Sequence, residues 1–405
     1  QSFIARRMGL PLPVQSNLKA PAIAFGLILA GNLFVGFATP ELRWFEIIGY
    51  SGLLNVFNFM LVLYVLFGTL REPADLDRLI NLLLACVVAR GLWGLVRFVA
   101  LGGDPANFYA NFQDINVTLT FFDINDSLLA CMALFIAAWR LVRGHCQSPG
   151  SRALYVGIVL LELFIILFSY RRTAWGGLAL AAVYFAFLQG RKVRWNLLVV
   201  YVVFGLPLVV WKMVQRAGEK GTSGSLLERM LPDVMSGGSF AFTTGRFAEL
   251  YAAWLSIKES PWWGLGAWGR YDGFRFSDLA WHRGDFSWMH SGVMHIMLKT
   301  GVLGLLVVAA MVWLFLRHIQ AHRGILAPDR LIPFHAGVAG LLFMLPTLLI
   351  GTPVIEYRTM QLLGLCVALP YLAVAVQQAV SHAGAAAQGA SGRPHRVYVA
   401  RPFSA

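Results

Sequence analysis

Apolar runs about as long as a membrane crossing recur along this chain, and they leave it few ways to fold. One of them, the segment 195–215, would extend about 30 Å at the helical rise, enough to cross the hydrocarbon core. The runs fall near 21–38, 45–70, 79–101, 127–142, 153–170, 173–189, 195–215, 293–317, 332–352 and 357–380. With 58% hydrophobic residues over 405 positions, the chain has more apolar surface than a soluble globule can bury. Backbone facing lipid must satisfy its own hydrogen bonds, and these runs lack the alternation of barrel strands. The expectation is therefore an all-α, polytopic membrane helix bundle without strands.

Charge then divides the chain. The formal net charge of +13 would suit a nucleic-acid partner, but the basic residues sit in short connectors between spans, as membrane topology requires. No nucleic-acid binding is expected, and membrane lipid is the surrounding partner. Arg6, Arg7 and Lys19, then Arg71 and Arg78, Arg140, Arg143 and Arg152, Arg191, Lys192 and Arg194, Arg317, Arg323 and Arg330, and finally Arg393, Arg396 and Arg401 mark alternate connectors. The positive-inside rule assigns these to the cytoplasm and the other connectors to the outer face. The organisation read from this is a first group of membrane helices over 1–215, an outer loop over 216–292, a second group over 293–380, and a flexible cytoplasmic tail over 381–405. Cys86, Cys131, Cys146 and Cys366 are widely spaced, form no CxxC pair, and read as packing residues.

The outer face gathers what polar chemistry the chain has. Arg171 and Arg172 stand between two apolar runs, where paired guanidinium groups match the oxygens of a phosphate or pyrophosphate; equally, they could snorkel to lipid head groups. The segment RFAELYAAWLSIK puts Phe247, Leu250, Tyr251, Trp254 and Leu255 on one helical stripe, predicting an amphipathic helix lying on the membrane or the bundle. Arg246 and Glu249 are neighbours on it, as a structural ion pair or as part of a site. His290 precedes the re-entering span and could act as general base or as a phosphate ligand. His295, five residues on, falls on another face, and no HxxxH or HExxH pair suggests zinc. Gly264, Gly266 and Gly269 satisfy G-x-G-x-x-G but follow no strand, so tight turns are expected in place of a dinucleotide site. Asp104, Asp114, Asp123 and Asp126 read as solvated loop carboxylates.

The order of these motifs resembles the O-antigen ligase family. The resemblance rests on Ser169, Arg172, Thr173, Ala174 and Trp175, on Gly245 and Arg246, on Pro261, Gly264 and Gly266, and on His290, Ser291, Leu298, Gly301 and Gly304. It covers roughly 160–310 in motif and the whole chain in span layout. It implies ten to twelve transmembrane helices and a large periplasmic loop containing amphipathic helices. The implied enzyme is a metal-independent, inverting glycosyltransferase of the inner membrane, active on the periplasmic face and without a cofactor. Its donor would be an undecaprenyl pyrophosphate-linked glycan, and its acceptor the lipid A core of lipopolysaccharide. By the same resemblance Arg172 and Arg246, with Arg171 beside them, would hold pyrophosphate, and His290 would be catalytic. Glu249, Trp175 and Asp285 are supporting candidates. An O-antigen polymerase or protein O-glycosylating ligase shares these motifs. A transporter of lipid-linked saccharide, with Asn32, Asn55, Asn58, Arg90, Arg97 and Glu162 lining a path, is the non-enzyme alternative.

Overall fold

A computed structural model describes residues 14–37, 55–107, 111, 117–144, 148–200, 245–272, 285–286, 289–351 and 356–391, with isolated positions between 203 and 214. Among these residues run eleven helices: α1 (Lys19–Phe37), α2 (Val56–Thr69), α3 (Pro73–Ala100), α4 (Ile124–Val142), α5 (Pro149–Leu167), α6 (Arg172–Phe187), α7 (Arg191–Val200), α8 (Gly245–Ile257), α9 (Gly292–His322), α10 (Pro328–Ile350) and α11 (Tyr357–Ser391). Six stretches are long and apolar enough to cross a membrane: α3, α4, α5, α9, α10 and Tyr357–Ser381 of α11. The all-α class and the membrane-spanning character follow the sequence reading. Much of the runs expected at 45–70 and 195–215, the loop up to Thr244, and Cys146 lie outside the described residues.

Helix starts fall a few residues earlier than the apolar runs suggest, because polar caps, which hydropathy passes over, set them. Helix α3 opens with Pro73 behind a reciprocal Glu72–Asp75 capping box, and α5 with Pro149 behind a Ser148–Ser151 box. Asp123 caps α4 by accepting from the Asn125 N–H at 2.9 Å. At the far end of the chain, the α11 backbone stays helical to Ser391, into the alanine-rich stretch read as a tail, in keeping with alanine's helix propensity.

Outside the apolar runs, one short ribbon is added to this all-α architecture. Tyr271–Asp272 (β1) and Asp285–Phe286 (β2) pair antiparallel, Tyr271 opposite Phe286 and Asp272 opposite Asp285. This two-rung ribbon belongs to the polar loop, where the rule that governs backbone in lipid does not apply.

Helix α4 is the buried axis of the bundle, with Leu128, Met132 and Ile136 fully enclosed, and it packs against α5, α10, α3 and α6. Small residues set the closest approaches, as expected where lipid tails offer no hydrophobic contrast. A Cβ on Gly177 would lie 2.1 Å from the Phe343 carbonyl oxygen, and one on Gly337 would lie 2.3 Å from that of Cys366. One polar cluster within this core is paired: Trp139 stacks on His335 at 5.2 Å, and His335 Nδ1 is 2.7 Å from the Tyr184 hydroxyl. Cys131 and Cys366 are buried, whereas Cys86 is exposed on the outside of the bundle.

Contacts among the connectors gather at two ends of the bundle. At one end Arg330 pairs with Asp77 at 2.9 Å and Arg143 donates to the Leu188 carbonyl at 3.1 Å. At the other, Thr120 N–H reaches Phe168 O at 3.1 Å and Asn125 donates to Glu356 at 3.2 Å. Helix α1 lies antiparallel to α9, tied at its start by Asn17 to Leu314 O (3.1 Å) and fifteen residues on by Asn32 to Lys299 O (3.0 Å).

Candidate active site

The site is assembled where the chain re-enters the bundle at α9. Ser291 is the N-cap, accepting from Met294 N–H at 3.3 Å. A cap role explains why serine serves at a position where asparagine would serve as well. His290 therefore stands just before the helix, beside its unsatisfied N–H groups and positive dipole end.

Nine residues into α9, Gly301 leaves helical geometry at φ 63°, ψ −164°. The interrupted hydrogen bonds are taken over by the segment Pro261–Leu265. Val302 N–H donates to Pro261 O at 2.8 Å, Leu303 N–H to Trp262 O at 3.2 Å, and Leu265 N–H to Leu298 O at 2.8 Å. The crossing is backbone on backbone. A Cβ on Gly264, itself at φ 70°, would sit 2.6 Å from Gly301 N, and a Cβ on Gly301 would sit 2.3 Å from Trp262 O. The two glycine-bearing motifs are thus the two sides of one contact, and Gly264 and Gly266, both at positive φ, make the tight turns expected of them. Lys299, fully buried beneath this segment, donates to Gly269 O at 2.6 Å.

That crossing brings α8 over the start of α9. Glu249 accepts three hydrogen bonds there: from His290 Nδ1 at 2.9 Å, from His290 N–H at 3.2 Å, and from the Tyr271 hydroxyl at 3.1 Å. Burial, and then the charge of Glu249, push the Tyr271 phenol well above its ordinary range, so it stays a donor. With Nδ1–H given to the carboxylate, Nε2 becomes the acceptor nitrogen of the His290 ring. The His290 side chain is 35% exposed and that of Glu249 16%. This arrangement can accept a proton from a hydroxyl and stabilise the imidazolium that results.

Sequence reasoning left Glu249 beside Arg246 as an ion pair or as part of a site, and its carboxylate accepts from His290 and Tyr271. The Arg246 and Asp285 side chains lie outside the described residues. Tyr271 was missed; the only signal for it is a tyrosine beside the glycine turns of a loop already rich in aromatic residues. Of the two placements expected for the stripe of α8, on the membrane or on the bundle, its aromatic residues take the outward one. Ala252, Ala253 and Ile257 are buried, while Tyr251 and Trp254 are exposed. Small side chains allow α8 to approach α9 closely, and the aromatic stripe is turned outward. His295 is buried, and neither of its ring nitrogens has a hydrogen-bond partner.

Arg171 and Arg172 occupy the N-terminus of α6, following Tyr170, which is held at φ 60°. Such a conformation is costly for a non-glycine residue and signals a turn fixed by its surroundings. Tyr170 packs with Val117, Leu119 and Phe122. Trp175 closes the turn, its Nε1–H donating to Leu167 O at 3.2 Å. The Arg171 guanidinium lies 4.3 Å from the Phe122 ring centroid, close enough for a cation–π contact.

The carboxylates read as solvated are instead engaged. Asp126 pairs with Arg90 through bonds of 2.8 and 3.1 Å. Asp104 holds Arg97 and accepts from Phe122 N–H at 2.7 Å. Asp123 caps α4, and Asp114 lies outside the described residues. Two arginines on an apolar span were the reason: their long side chains reach the loop and need partners there. Glu356, which sequence reasoning did not single out, accepts from Asn125 at 3.2 Å and Thr359 at 3.0 Å. Burial, then Asp123 nearby, raise its pKa, and the charge of Arg171 partly offsets this.

A multi-pass helical membrane protein with a carboxylate–histidine pair and an arginine-bearing helix start at one end is the class that the fold and site define. A protein-family model described as O-Antigen ligase matches residues 157–309, a little under two fifths of the 405-residue chain, including Arg172, Glu249 and His290. The match supports the O-antigen ligase/polymerase superfamily and a membrane enzyme that transfers glycosyl groups to an acceptor. No curated protein matches the chain.

Proposed function

We propose that this protein is an O-antigen ligase of the bacterial inner membrane. It would transfer O-antigen glycan from undecaprenyl pyrophosphate to the lipid A core on the periplasmic face, with inversion and without a metal. The observation that carries this reading is the Glu249–His290 pair, which presents an acceptor nitrogen at a helix start inside the matched region. In the reaction His290 Nε2 takes the proton of the acceptor hydroxyl as its oxygen forms the bond to the anomeric carbon. The bond from that carbon to the pyrophosphate oxygen breaks, and undecaprenyl pyrophosphate departs with the electron pair. Arg171, Arg172 and Arg246 neutralise its growing charge, which lowers the barrier most where water is excluded.

The engaged arginines of α3 favour an enzyme over a transporter. Arg90 and Arg97 are tied to loop carboxylates at one end of the bundle, and Asn32 is bonded to the Lys299 carbonyl, so these side chains are engaged by the fold and do not stand as a relay.

The test is reconstitution of the purified protein with pyrophosphate-linked glycan and three competing acceptors: lipid A core, free glycan and a pilin-like peptide. Transfer to lipid A core, abolished by His290→Ala and little changed by His295→Ala, is the expected result. Elongation of free glycan would mark a polymerase and peptide modification a protein ligase. Near-normal turnover of His290→Ala would remove the histidine from the chemistry.

A further inference from the structure

Helix α9 is 31 residues long, about 46 Å at 1.5 Å per residue, well beyond the roughly 30 Å of a hydrocarbon core. Some of it must stand outside the lipid. Three independent features locate the boundary at Gly301.

The first is polarity along α9. His295, Lys299 and Thr300 lie before the kink and are buried, whereas Gly301 to Leu316 carries no charge and ends at Arg317. That stretch is about 24 Å long, and Arg317, whose guanidinium lies 4.9 Å from the Trp313 ring centroid, can snorkel beyond it. Leu306, Val312, Trp313 and Leu316 are exposed on its outer side. The second is the pairing with α1. The polar ties Asn17 to Leu314 and Asn32 to Lys299 bracket the apolar contact of the two helices, and the upper tie is at the kink. The third is the crossing segment itself. Trp262 and Trp263 are each 61% exposed and are pinned to the kink through Trp262 O and Leu303 N–H. The outward face of α8 continues this patch with Tyr251, Trp254 and Lys258, whose ammonium lies 5.8 Å from the Trp254 ring centroid. Exposed indole rings beside a lysine match the head-group and carbonyl layer of a bilayer, where amphipathic rings concentrate.

We infer that Trp262 and Trp263, with Trp254 and Tyr251 beside them, dock into the lipid interface at the level of Gly301, so that α9 crosses the membrane only from its kink onward. Residues 290–300 then rise clear of the hydrocarbon and lift His290 about 15 Å above it. The crossing of backbones at Gly264 and Gly301 transmits this height to the Glu249–His290 pair. An acceptor would reach the histidine from water, while the lipid carrier remains anchored below. The inference concerns depth alone and stands whether or not the transferase reading does.

Nitroxide labels placed singly at Val293, Trp263, Leu306 and Val312 in the full-length chain, with native cysteines replaced by alanine and the protein in lipid nanodiscs, test it. Relaxation by oxygen and by a water-soluble nickel chelate reads depth. Labels at Leu306 and Val312 should favour oxygen, Val293 should favour the chelate, and Trp263 should lie between. Hydrocarbon depth at Val293, or water at Leu306, would overturn the inference. Protection of the Trp263 label from both reagents would overturn it too, because a second copy of the chain would then cover the patch. If the cysteine-free chain does not fold, diazirine-bearing lipids report on the unmodified protein. Head-group probes should label Trp262 and Trp263, acyl-chain probes Leu306 and Val312, and neither should label Val293; acyl-chain labelling of Val293 refutes the assignment.

Discussion

Replacing Glu249 by glutamine probes the site at its most informative atom. The carboxylate accepts from His290 Nδ1, His290 N–H and the Tyr271 hydroxyl, three donors facing two oxygens. Glutamine has one oxygen and one NH2 group. If the oxygen serves the backbone N–H and Tyr271, the NH2 donates to Nδ1, the ring proton moves to Nε2, and the histidine can no longer accept from a hydroxyl. If the amide turns over, Nδ1–H is satisfied but the NH2 opposes a backbone N–H, leaving a partly buried donor unpaired at about 1–3 kcal/mol. Either way the charge that stabilises the imidazolium is gone, worth about 1.5–3 kcal/mol for a charge-assisted hydrogen bond. Together these give about 2.5–6 kcal/mol, or on the order of 10² to 10⁴ in kcat, with KM for the donor little changed. The assay is single-turnover and steady-state glycan transfer in proteoliposomes, with size-exclusion profiles to confirm folding. A kcat within about threefold of the parent would show that Glu249 does not set the tautomer, and the histidine-base mechanism would fall with it.

Other outcomes follow from neighbouring residues. Tyr271→Phe removes one neutral donor from Glu249 and should lower kcat several-fold, about 0.5–1.5 kcal/mol, measured in the same assay; an unchanged rate would mean that Tyr271 only fills space. Arg172→Lys should lose about tenfold or more in turnover at normal expression, since lysine cannot reproduce a forked contact to phosphate oxygens; full activity would leave only a head-group role. Gly301→Ala would place a Cβ 2.3 Å from the Trp262 carbonyl oxygen at positive φ and should sharply reduce the yield of folded protein, read by fluorescence-detected size exclusion. Because the folded-state pKa of Glu356 is raised, its carboxyl favours the fold when protonated, and that contribution is lost as pH rises from the ordinary carboxylate range through the folded value. Glu356→Gln, which keeps an oxygen for Asn125 and Thr359, should therefore melt higher than the parent at neutral pH and show a flatter pH dependence; a lower melting temperature at neutral pH would contradict this.

Much of the fold was legible because lipid imposes a single rule on backbone, and length with hydropathy reads that rule directly. What hydropathy cannot show is where polar caps extend a helix, hence the early starts at Pro73 and Pro149. At the site, His290 was visible as a histidine just before a span. Its partner was not, because Glu249 lies forty-one residues away across a loop and periodicity says which side chains share a face without saying what that face meets. The stripe of Tyr251 and Trp254 was legible as a stripe and its direction was not. In a soluble helix the larger apolar face turns to the core; here the alanine face of Ala252 and Ala253 does so, and the aromatic face is exposed.

The same inversion explains why the site needs both glycine motifs. A helix that breaks at Gly301 must find hydrogen-bond partners for Val302 and Leu303 where its own carbonyls have turned away, and bare water cannot supply them at the packed edge of a bundle. Pro261 and Trp262 supply them, which requires a second backbone at van der Waals distance and hence glycine on both sides, at 264 and 301. Once that crossing exists, α8 is fixed above the start of α9 through one apolar cluster of Ala252, Ala253, Ile257, Met289 and Leu298, and a carboxylate one turn along α8 falls on the histidine that precedes the cap. The Glu249–His290 geometry is thus a consequence of how the kink is satisfied. A substitution at Gly264 should therefore disturb the tautomer of a histidine twenty-six positions away before it disturbs any contact in the membrane core.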